Sequence, residues 1–262
     1  MSRAAHQPGN EPPRDCLLDD EQVLNFIARG YHVIDNPFDD SLNAEIDRQC
    51  SALESDPGNG ILDAVPLLHD VVAHPKVRGP LVSICGKDMA MNHHRHCHTR
   101  KPQRFAHNWH TDSAERGATD LRWVLAMYYP HTVTPDMGPT VILPGSQFRS
   151  APNPTLESFA NIRGQFAICV PAGTVVIVHP NIWHGAGPNY SGRKRHMLKF
   201  LFDRTSPNTE PTWNHDPATA DALAERLLSQ RVTPMDRGDV QKEAAKRRKV
   251  WDMLLGRQIA QV

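Results

Sequence analysis

The stretch Gly173–Phe202, GTVVIVHPNIWHGAGPNYSGRKRHMLKFLF, contains two apolar runs separated by a loop rich in glycine, proline, asparagine and serine. The first run ends shortly before His184, and the second begins directly after Arg195. Apolar runs of about four to eight residues that are bounded by such turn residues are typical of β-strands. The stretch therefore predicts two strands, with one imidazole and one guanidinium beside the loop that joins them.

Further strand-like runs precede this stretch, and turn residues separate them. A doubly wound parallel sheet needs a helix between consecutive strands, and no helical pattern interrupts the chain between Met89 and Phe202. The pattern therefore predicts an antiparallel sandwich or barrel. A short strand is predicted at Tyr31–Ile34, and the others are predicted at Met89–His98, Phe105–Thr111, Leu121–Tyr129, Thr140–Leu143, Gln165–Val170, Thr174–His179 and His196–Phe202.

Helical patterns flank the β region on both sides. Apolar residues recur at helical spacing from Asp20 to a stop at Gly30, and His74–Pro75 predicts a break because the residue before proline avoids the α conformation. Five further helices are predicted. Three precede the strands, at Ser41–Leu53, Val65–Ala73 and Val77–Cys85, and two follow them, at Ala218–Gln230 and Asp239–Leu255. We expect a mainly β fold with N-terminal and C-terminal helices. It is divided into a disordered arm (1–15), a barrel domain (16–204) and a C-terminal helical extension packed on the same domain (205–262).

The composition restricts the class of partner. The chain has 262 residues, with 29 Lys and Arg against 29 Asp and Glu, so its formal net charge is zero. This neutrality argues against nucleic-acid and anionic-membrane partners, and the basic tetrad Lys246–Lys249 is interpreted as a solvated helix face. No apolar run approaches the ~20 residues of a bilayer span, and Met1–Arg14 lacks the apolar segment of a signal peptide, so we expect a cytoplasmic location. The five widely spaced cysteines indicate free thiols.

A possible metal site is indicated by the motif His110-Thr111-Asp112 together with His184. On an extended strand, His110 and Asp112 project from the same face and can share one ion. Two imidazoles and one carboxylate form the facial triad that leaves coordination positions open on Fe(II). Zinc is the competing metal, because the same ligands with a bound water describe a catalytic hydrolase site.

Arg195 favours an oxygenase over a zinc hydrolase. It follows His184 by eleven residues, and its planar fork can hold a carboxylate such as the distal one of 2-oxoglutarate. Arg193 has the same strand parity and is the rival anchor. His179 lies five residues before His184, and its His-Pro setting indicates a structural role.

The ordered set His110-x-Asp112, then Gly138–Ser146 (GPTVILPGS), then His184-Gly185-x-Gly187 with Arg195, resembles the phytanoyl-CoA dioxygenase family of Fe(II)/2-oxoglutarate oxygenases over Asp20–Arg204. The resemblance implies a double-stranded β-helix, which is a jelly-roll or cupin-like barrel. It also implies iron ligation by His110, Asp112 and His184, binding of 2-oxoglutarate by Arg195, and O₂ as the oxidant. Two departures are Ala186, where relatives often have a serine that contributes to co-substrate binding, and Gln147, which we interpret as a structural loop change. Asp112 argues against halogenation, because the halogenases of the family replace it with a small residue.

Additional co-substrate contacts are expected from the imidazole-rich strand Met89–Arg100 and from the aromatic residues beside the triad. One face of this strand carries His94, His96, His98 and Arg100, and the other carries His93, Arg95 and Cys97. We predict that Asn92, His93 and Tyr128 contact 2-oxoglutarate. The cationic character of the strand also favours a carboxylate or phosphate on the substrate.

The resemblance and the residues together predict an Fe(II)/2-oxoglutarate-dependent dioxygenase that hydroxylates, or otherwise oxidises, an unactivated C–H bond of a small organic molecule. Biosynthetic tailoring is the expected setting, with release of succinate and CO₂. One alternative is a metal-retaining barrel that binds or regulates without turnover, and another is a protein-modifying 2-oxoglutarate oxygenase. The expected partners are a small-molecule substrate and, at most, a second copy of the chain in a homodimer.

Overall fold

Two antiparallel sheets form the centre of the structure, a computed structural model that describes residues 11–113, 118–149, 161–233 and 237–257. The strands are β1 Tyr31–Ile34, β2 Ala90–Arg100, β3 His107–His110, β4 Trp123–Tyr128, β5 Thr140–Leu143, β6 Phe166–Ala167, β7 Val175–Val178, β8 Trp183–Ala186 and β9 Arg195–Asp203. One sheet has the strand order β1-β7-β4-β9-β2 and the other has the order β3-β8-β5-β6. All the strand pairings are antiparallel.

Helices flank the sheets at both ends of the chain. They are α1 Asp20–Arg29, α2 Asp40–Ala52, α3 Ile61–Ala64, α4 Leu68–Ala73, α5 Pro75–Cys85, α6 Ala220–Leu228 and α7 Arg237–Leu254, with short 3₁₀ turns at Arg14–Cys16 and Gly58–Gly60. The predicted mainly β architecture with N-terminal and C-terminal helices is therefore confirmed. None of the described helices is long and apolar enough to cross a membrane.

The central strand β4 separates two hydrophobic layers because its side chains alternate between the two faces of the sheet. Val124, Ala126 and Tyr128 belong to the large cluster that the helices form against the outer face. Leu125 and Met127 belong to a second cluster, which fills the interior between the two sheets. The interior-facing side chains of the five-stranded sheet are therefore the ones that can line a site inside the barrel.

Helix α1 shows how the local sequence determines where a helix begins and ends. The side chain of Asp19 accepts a hydrogen bond from the backbone of Gln22, and the Gln22 side chain accepts one from the backbone of Asp19, which makes a capping box. Gly30 ends the helix with φ +83°, a left-handed conformation that glycine adopts without steric cost. Both ends agree with the predicted helix from Asp20 to Gly30.

The predicted break at His74–Pro75 is confirmed, since α4 ends at Ala73 and α5 begins at Pro75. The sequence patterns missed α3 and β8. The four residues of β8 include a glycine, and an isolated run this short gives no periodic signal. Residues 1–10 of the predicted arm lie outside the described residues, while Arg14 donates a hydrogen bond to Asn214 Oδ1 at 3.2 Å.

The C-terminal helices pack on the same core as the N-terminal ones. Ala224 of α6 and Trp251 of α7 are fully buried, and both belong to the cluster that contains α1. The basic tetrad of α7 is only partly a solvated face, because Lys249 is exposed whereas Arg247 is buried. Only 1% of the surface of Arg247 is exposed, and its guanidinium donates to the carbonyls of Leu228 and Gln230 and to Glu243. The prediction of a solvated face was wrong here because Arg247 satisfies helix-end carbonyls.

Candidate metal centre

Pairing of the short strands β3 and β8 brings two of the predicted ligands together. His110 and His184 are direct register partners, and their ring centroids lie 4.2 Å apart. Asp112 lies two residues after the end of β3, and its backbone N–H donates to Pro180 O at 3.1 Å. Each of these three residues offers a ligand atom, and the atoms all lie within 4.8 Å of one another. Within the part of the chain that the structure describes, this is the one such group.

Backbone carbonyls orient both imidazoles in the same way. The Nδ1 atom of His110 lies 2.9 Å from Asn108 O, and that of His184 lies 3.0 Å from Ile182 O. A carbonyl oxygen only accepts, so each Nδ1 must carry the proton that it donates. The Nε2 atoms are then unprotonated and free to bind a metal, which is the arrangement that metal-binding histidines commonly use.

The Asp112 carboxylate lies between an imidazole and a lysine. Its Oδ2 is 3.3 Å from His184 Nε2 and 2.6 Å from Lys199 Nζ. Burial raises the pKa of Asp112, but the neighbouring His184 and Lys199 charges outweigh burial, so the pKa lies below its ordinary value. Burial also lowers the pKa of His184 to about 4, so this imidazole is neutral and able to coordinate at neutral pH.

The three ligands lie in a cavity of about 220 Å³ inside the barrel. The residues that line it are His98, Thr99, Arg100, His107, His110, Asp112, Met127, Thr140, His184, Gly185, Ala186, Arg195, Met197 and Lys199. The cavity thus combines the predicted metal ligands with the predicted co-substrate arginine. Its size suits small ligands rather than a macromolecular segment.

Arg195 begins β9 and projects into this cavity with 2% of its surface exposed. Its Nη2 donates to Gly138 O at 2.9 Å, whereas Nε and Nη1 are buried and have no hydrogen-bond partner among the described residues. Burial lowers the pKa of the guanidinium. Buried donors without partners carry a large desolvation cost, which a bound carboxylate would relieve by accepting from both nitrogens. The donors that remain at Arg195 therefore fit the distal carboxylate of 2-oxoglutarate.

A hydroxyl near Arg195 was not predicted from the sequence. Tyr129 Oη donates to Thr140 Oγ1 at 3.1 Å, which leaves the Thr140 proton available for an acceptor in the cavity. Thr140 is the register partner of Ala186, the position where relatives often have serine. Thr140 on the neighbouring strand can thus supply the hydroxyl that Ala186 lacks. The one sequence signal for this role of Thr140 was its position beside the Gly138-Pro139 turn.

The structure places Arg193 outside the cavity. It lies in the exposed loop before β9, and its guanidinium contacts Met137 Sδ at 3.8 Å. It lines a separate surface groove with His131 and Asp47. Of the two candidate anchors, Arg195 alone lies with the three ligands.

Three residues predicted to contact 2-oxoglutarate are not among those that line the cavity. Asn92 donates to Asp203 Oδ2 at 2.6 Å, and His93 is exposed to solvent. Tyr128 points toward the helices, where its hydroxyl donates to Asn43 Oδ1 at 2.7 Å. Strand alternation explains His93 and Tyr128, because the interior faces of β2 and β4 carry His98 and Met127 instead. Asn92 lies where the β2–β9 pairing shifts its register, between Met91 and Arg95. We do not retain a co-substrate role for these three residues.

His179 has the structural setting predicted for it. It is 4% exposed, its Nδ1 accepts from the backbone N–H of Asn181 at 3.1 Å, and its Nε2 is buried without a partner. Burial lowers its pKa to about 3, which keeps the imidazole neutral.

Comparison with known proteins supports the family and the fold. A family model described as phytanoyl-CoA dioxygenase matches residues 12–197. No curated protein sequence matches this chain significantly. Among solved structures, HygX from Streptomyces hygroscopicus with nickel and 2-oxoglutarate bound is 14% identical at a TM-score of 0.60, covering 72% of this chain and 88% of its own.

Two other solved structures have the same fold at low identity. EctD from S. alaskensis in its apo form is 18% identical at a TM-score of 0.59, and the match covers 75% of this chain and 81% of that one. The 2-oxoglutarate-dependent epimerase SnoN from nogalamycin biosynthesis is 16% identical at a TM-score of 0.58, and the match covers 71% of this chain and 84% of that one. Further HygX and SnoN structures contain hygromycin B and nogalamycin RO, respectively.

Proposed function

Because this chain belongs to the phytanoyl-CoA dioxygenase family of Fe(II)/2-oxoglutarate-dependent enzymes, we propose that it oxidises an unactivated C–H bond of a small organic molecule in a biosynthetic pathway. One observation carries the proposal. The ligand atoms of His110, Asp112 and His184 lie within 4.8 Å of one another in a cavity that also contains the unsatisfied donors of Arg195. The hygromycin B and nogalamycin RO bound in the HygX and SnoN structures support a small-molecule substrate.

In this proposal His110, Asp112 and His184 bind Fe(II), and Arg195 with Thr140 orients the distal carboxylate of 2-oxoglutarate. When bound, Fe(II) with 2-oxoglutarate and O₂ supplies the oxidising power, and the co-substrate leaves as succinate and CO₂. The chain itself positions the reactants and excludes water. The Asn108 and Ile182 carbonyls hold the two imidazoles in one tautomer.

Two apolar side chains line the site. Met127 and Met197 line the cavity together with the metal ligands and Arg195, and both belong to the interior hydrophobic cluster. Such side chains keep the local dielectric low, so the charge-assisted hydrogen bonds of Arg195 are stronger than they would be in water. Whether oxidation ends in an alcohol depends on substrate placement at the ångström level.

Iron-dependent succinate formation tests the proposal. Purified protein with Fe(II), O₂ and 2-oxoglutarate is assayed against a panel of small molecules and a panel of peptides. We expect slow succinate release without an organic substrate and stimulation by members of the small-molecule panel. Stimulation by peptides instead would favour a protein-modifying oxygenase, and metal binding without any succinate would favour a non-catalytic barrel.

A matched pair of variants links the activity to the proposed ligands. His110→Ala is expected to abolish iron-dependent succinate formation because it removes one of three ligands. His93→Ala is the control, because His93 is exposed and does not line the cavity. Equal loss in both variants, or in neither, would contradict the ligand assignment.

A further inference from the structure

The inward face of β2 carries a row of imidazoles that the proposed function does not use. His94 and His96 pack edge to face with ring centroids 4.4 Å apart, and His96 and His98 do so at 6.1 Å. His96 Nε2 lies 3.3 Å from His94 Nδ1. His94 and His98 are exposed and His96 is half-buried, and His98 is the member of this imidazole row that lines the cavity.

The imidazole row leads to Lys199. In the β2–β9 pairing, His96 is the register partner of Lys199 and His98 is the register partner of Met197, so these side chains share one face. Lys199 is 5% exposed and lines the cavity, where its ammonium contacts Asp112 Oδ2 at 2.6 Å. Arg195 lies four residues earlier on the same face of β9, so the co-substrate anchor is at the start of the strand and Lys199 is in its middle.

The charges in the cavity do not balance. Among the described residues that line it, Arg100, Arg195 and Lys199 are cations, and Asp112 is the one carboxylate. Arg100 is held by neutral acceptors, the carbonyls of Gly187 and Phe105. A divalent ion bound to Asp112 would share the carboxylate that Lys199 contacts. The metal and Arg195 would balance the two negative charges of 2-oxoglutarate. A surplus of positive charge then remains, part of it on a nearly buried ammonium.

A nearly buried ammonium is stable when an anion and hydrogen-bond acceptors surround it. His98 lines the same cavity as Lys199, where an imidazole N–H can serve as a further hydrogen-bond donor to an anion. One ammonium with neutral N–H donors beside it suits a singly charged carboxylate.

Building on the proposed function, we infer that the substrate is an organic acid whose carboxylate is held by Lys199 and the imidazole row His94, His96 and His98. This arrangement places the anionic end of the substrate beside Lys199 in the middle of β9, four residues along the strand from Arg195. Because Lys199 contacts Asp112, the carboxylate binds next to the proposed metal ligands, and the remainder of the molecule occupies the rest of the cavity. The inference assigns a specificity role to the imidazole-rich strand, for which the sequence predicted an anionic substrate.

The test uses acetate as the carboxylate probe and acetamide as its neutral isostere. Protein loaded anaerobically with Co(II) and 2-oxoglutarate is titrated with each probe, and paramagnetic relaxation of the probe methyl protons is measured by NMR. The Co(II)–2-oxoglutarate absorption is recorded in the same samples, so that displacement of the co-substrate is detected separately. We expect acetate to show about tenfold stronger relaxation than acetamide, which is the size of one charge-assisted hydrogen bond.

Three variants make the test specific to this site. Lys199→Met should reduce the acetate effect to the acetamide level, and Lys199→Arg should retain most of it. Lys194→Met is the matched control, because Lys194 lies on exposed chain just before β9 and does not line the cavity. His96→Phe, which leaves the Asp112 contact intact, should weaken acetate binding and provides a second route if Lys199→Met fails to fold.

Two results would overturn the inference while leaving the proposed function intact. One is equal relaxation of acetate and acetamide in protein that binds Co(II) and 2-oxoglutarate. The other is an acetate effect that survives in Lys199→Met, since this would indicate direct coordination to the metal. Failure to bind 2-oxoglutarate at all would instead contradict the proposed function.

Discussion

Arg195 is a nearly buried guanidinium that the fold leaves only partly satisfied. One nitrogen donates to Gly138 O, and two others have no partner inside the barrel. Such a group costs stability in the absence of a ligand and gives affinity in its presence, which is typical of a residue retained for binding.

Replacing Arg195 is therefore expected to affect the co-substrate specifically. Arg195→Met should weaken binding of 2-oxoglutarate by about a hundredfold or more, because two charge-assisted hydrogen bonds of ~1.5–3 kcal/mol each are lost. Arg193→Met is the control, since Arg193 is exposed and lies outside the cavity. Calorimetric titration of 2-oxoglutarate into Ni(II)-loaded protein measures both. Normal affinity in Arg195→Met with loss in Arg193→Met would reverse the assignment.

His179 predicts how stability depends on pH. Its pKa is about 3 in the folded protein, whereas the ordinary value for histidine is 6.5. As the pH falls below about 6.5, the unfolded chain therefore binds a proton at this residue and the folded chain does not. The free energy of unfolding should fall by about 1.4 kcal/mol per pH unit from this residue alone.

Denaturant unfolding between pH 7 and pH 5 tests this effect. His179→Asn keeps an acceptor for the Asn181 N–H and removes the titrating group, so the pH dependence should become shallower by about one proton. His93→Asn at the exposed surface should leave the slope as it is in the wild type. An unchanged slope in His179→Asn would show that the imidazole is protonated or solvated in the folded protein.

At the scale of elements, α7 is fixed by a buried ion pair. Arg247 Nη2 lies 3.0 Å from Glu243 Oε2, and Arg149 Nε lies 2.9 Å from Glu243 Oε1. The side chains of Arg247 and Glu243 are 1% and 6% exposed. Glu243 thus compensates two guanidinium groups between α7 and the chain that follows β5.

Removal of this carboxylate is expected to destabilise the protein strongly. Glu243→Gln should lower the free energy of unfolding by about 3 kcal/mol, because it leaves a nearly buried Arg247 without its counter-ion. Glu225→Gln removes an exposed partner of Arg248 and should cost less than about 1 kcal/mol. Urea unfolding of both variants provides the comparison, and similar losses would contradict the role given to Glu243.

How far the sequence predicted each element depended on whether the signal was local. Helix α1 was predicted correctly because its ends depend on local residues, Asp19 with Gln22 at the start and Gly30 at the end. The orientation of Tyr128 was not predicted correctly, because β4 is apolar on both faces and alternation alone does not show which face lies inside. The inward face of β2 was unassigned for the same reason, and its pairing with β9 decides it.

At the scale of the whole molecule, the barrel brings together residues that are far apart in the chain. The motif and spacing predicted that His110, Asp112 and His184 would lie with Arg195, and the structure places all four in one cavity. Thr140 and Lys199 were missed because no ligand spacing marks either residue, and only the packing of the two sheets brings them to the site. The sequence thus predicted the residues with a spacing signature and missed those whose role depends on tertiary neighbours.

The central claim is that one cavity binds Fe(II) and 2-oxoglutarate together. Anaerobic titration of the purified protein with both, followed by absorption spectroscopy, tests it most directly. We predict a weak saturable charge-transfer band near ~500 nm, as expected when an oxo-acid chelates an iron whose open positions are available. The band should be absent in Asp112→Ala. Iron binding without a band on addition of 2-oxoglutarate would contradict the account.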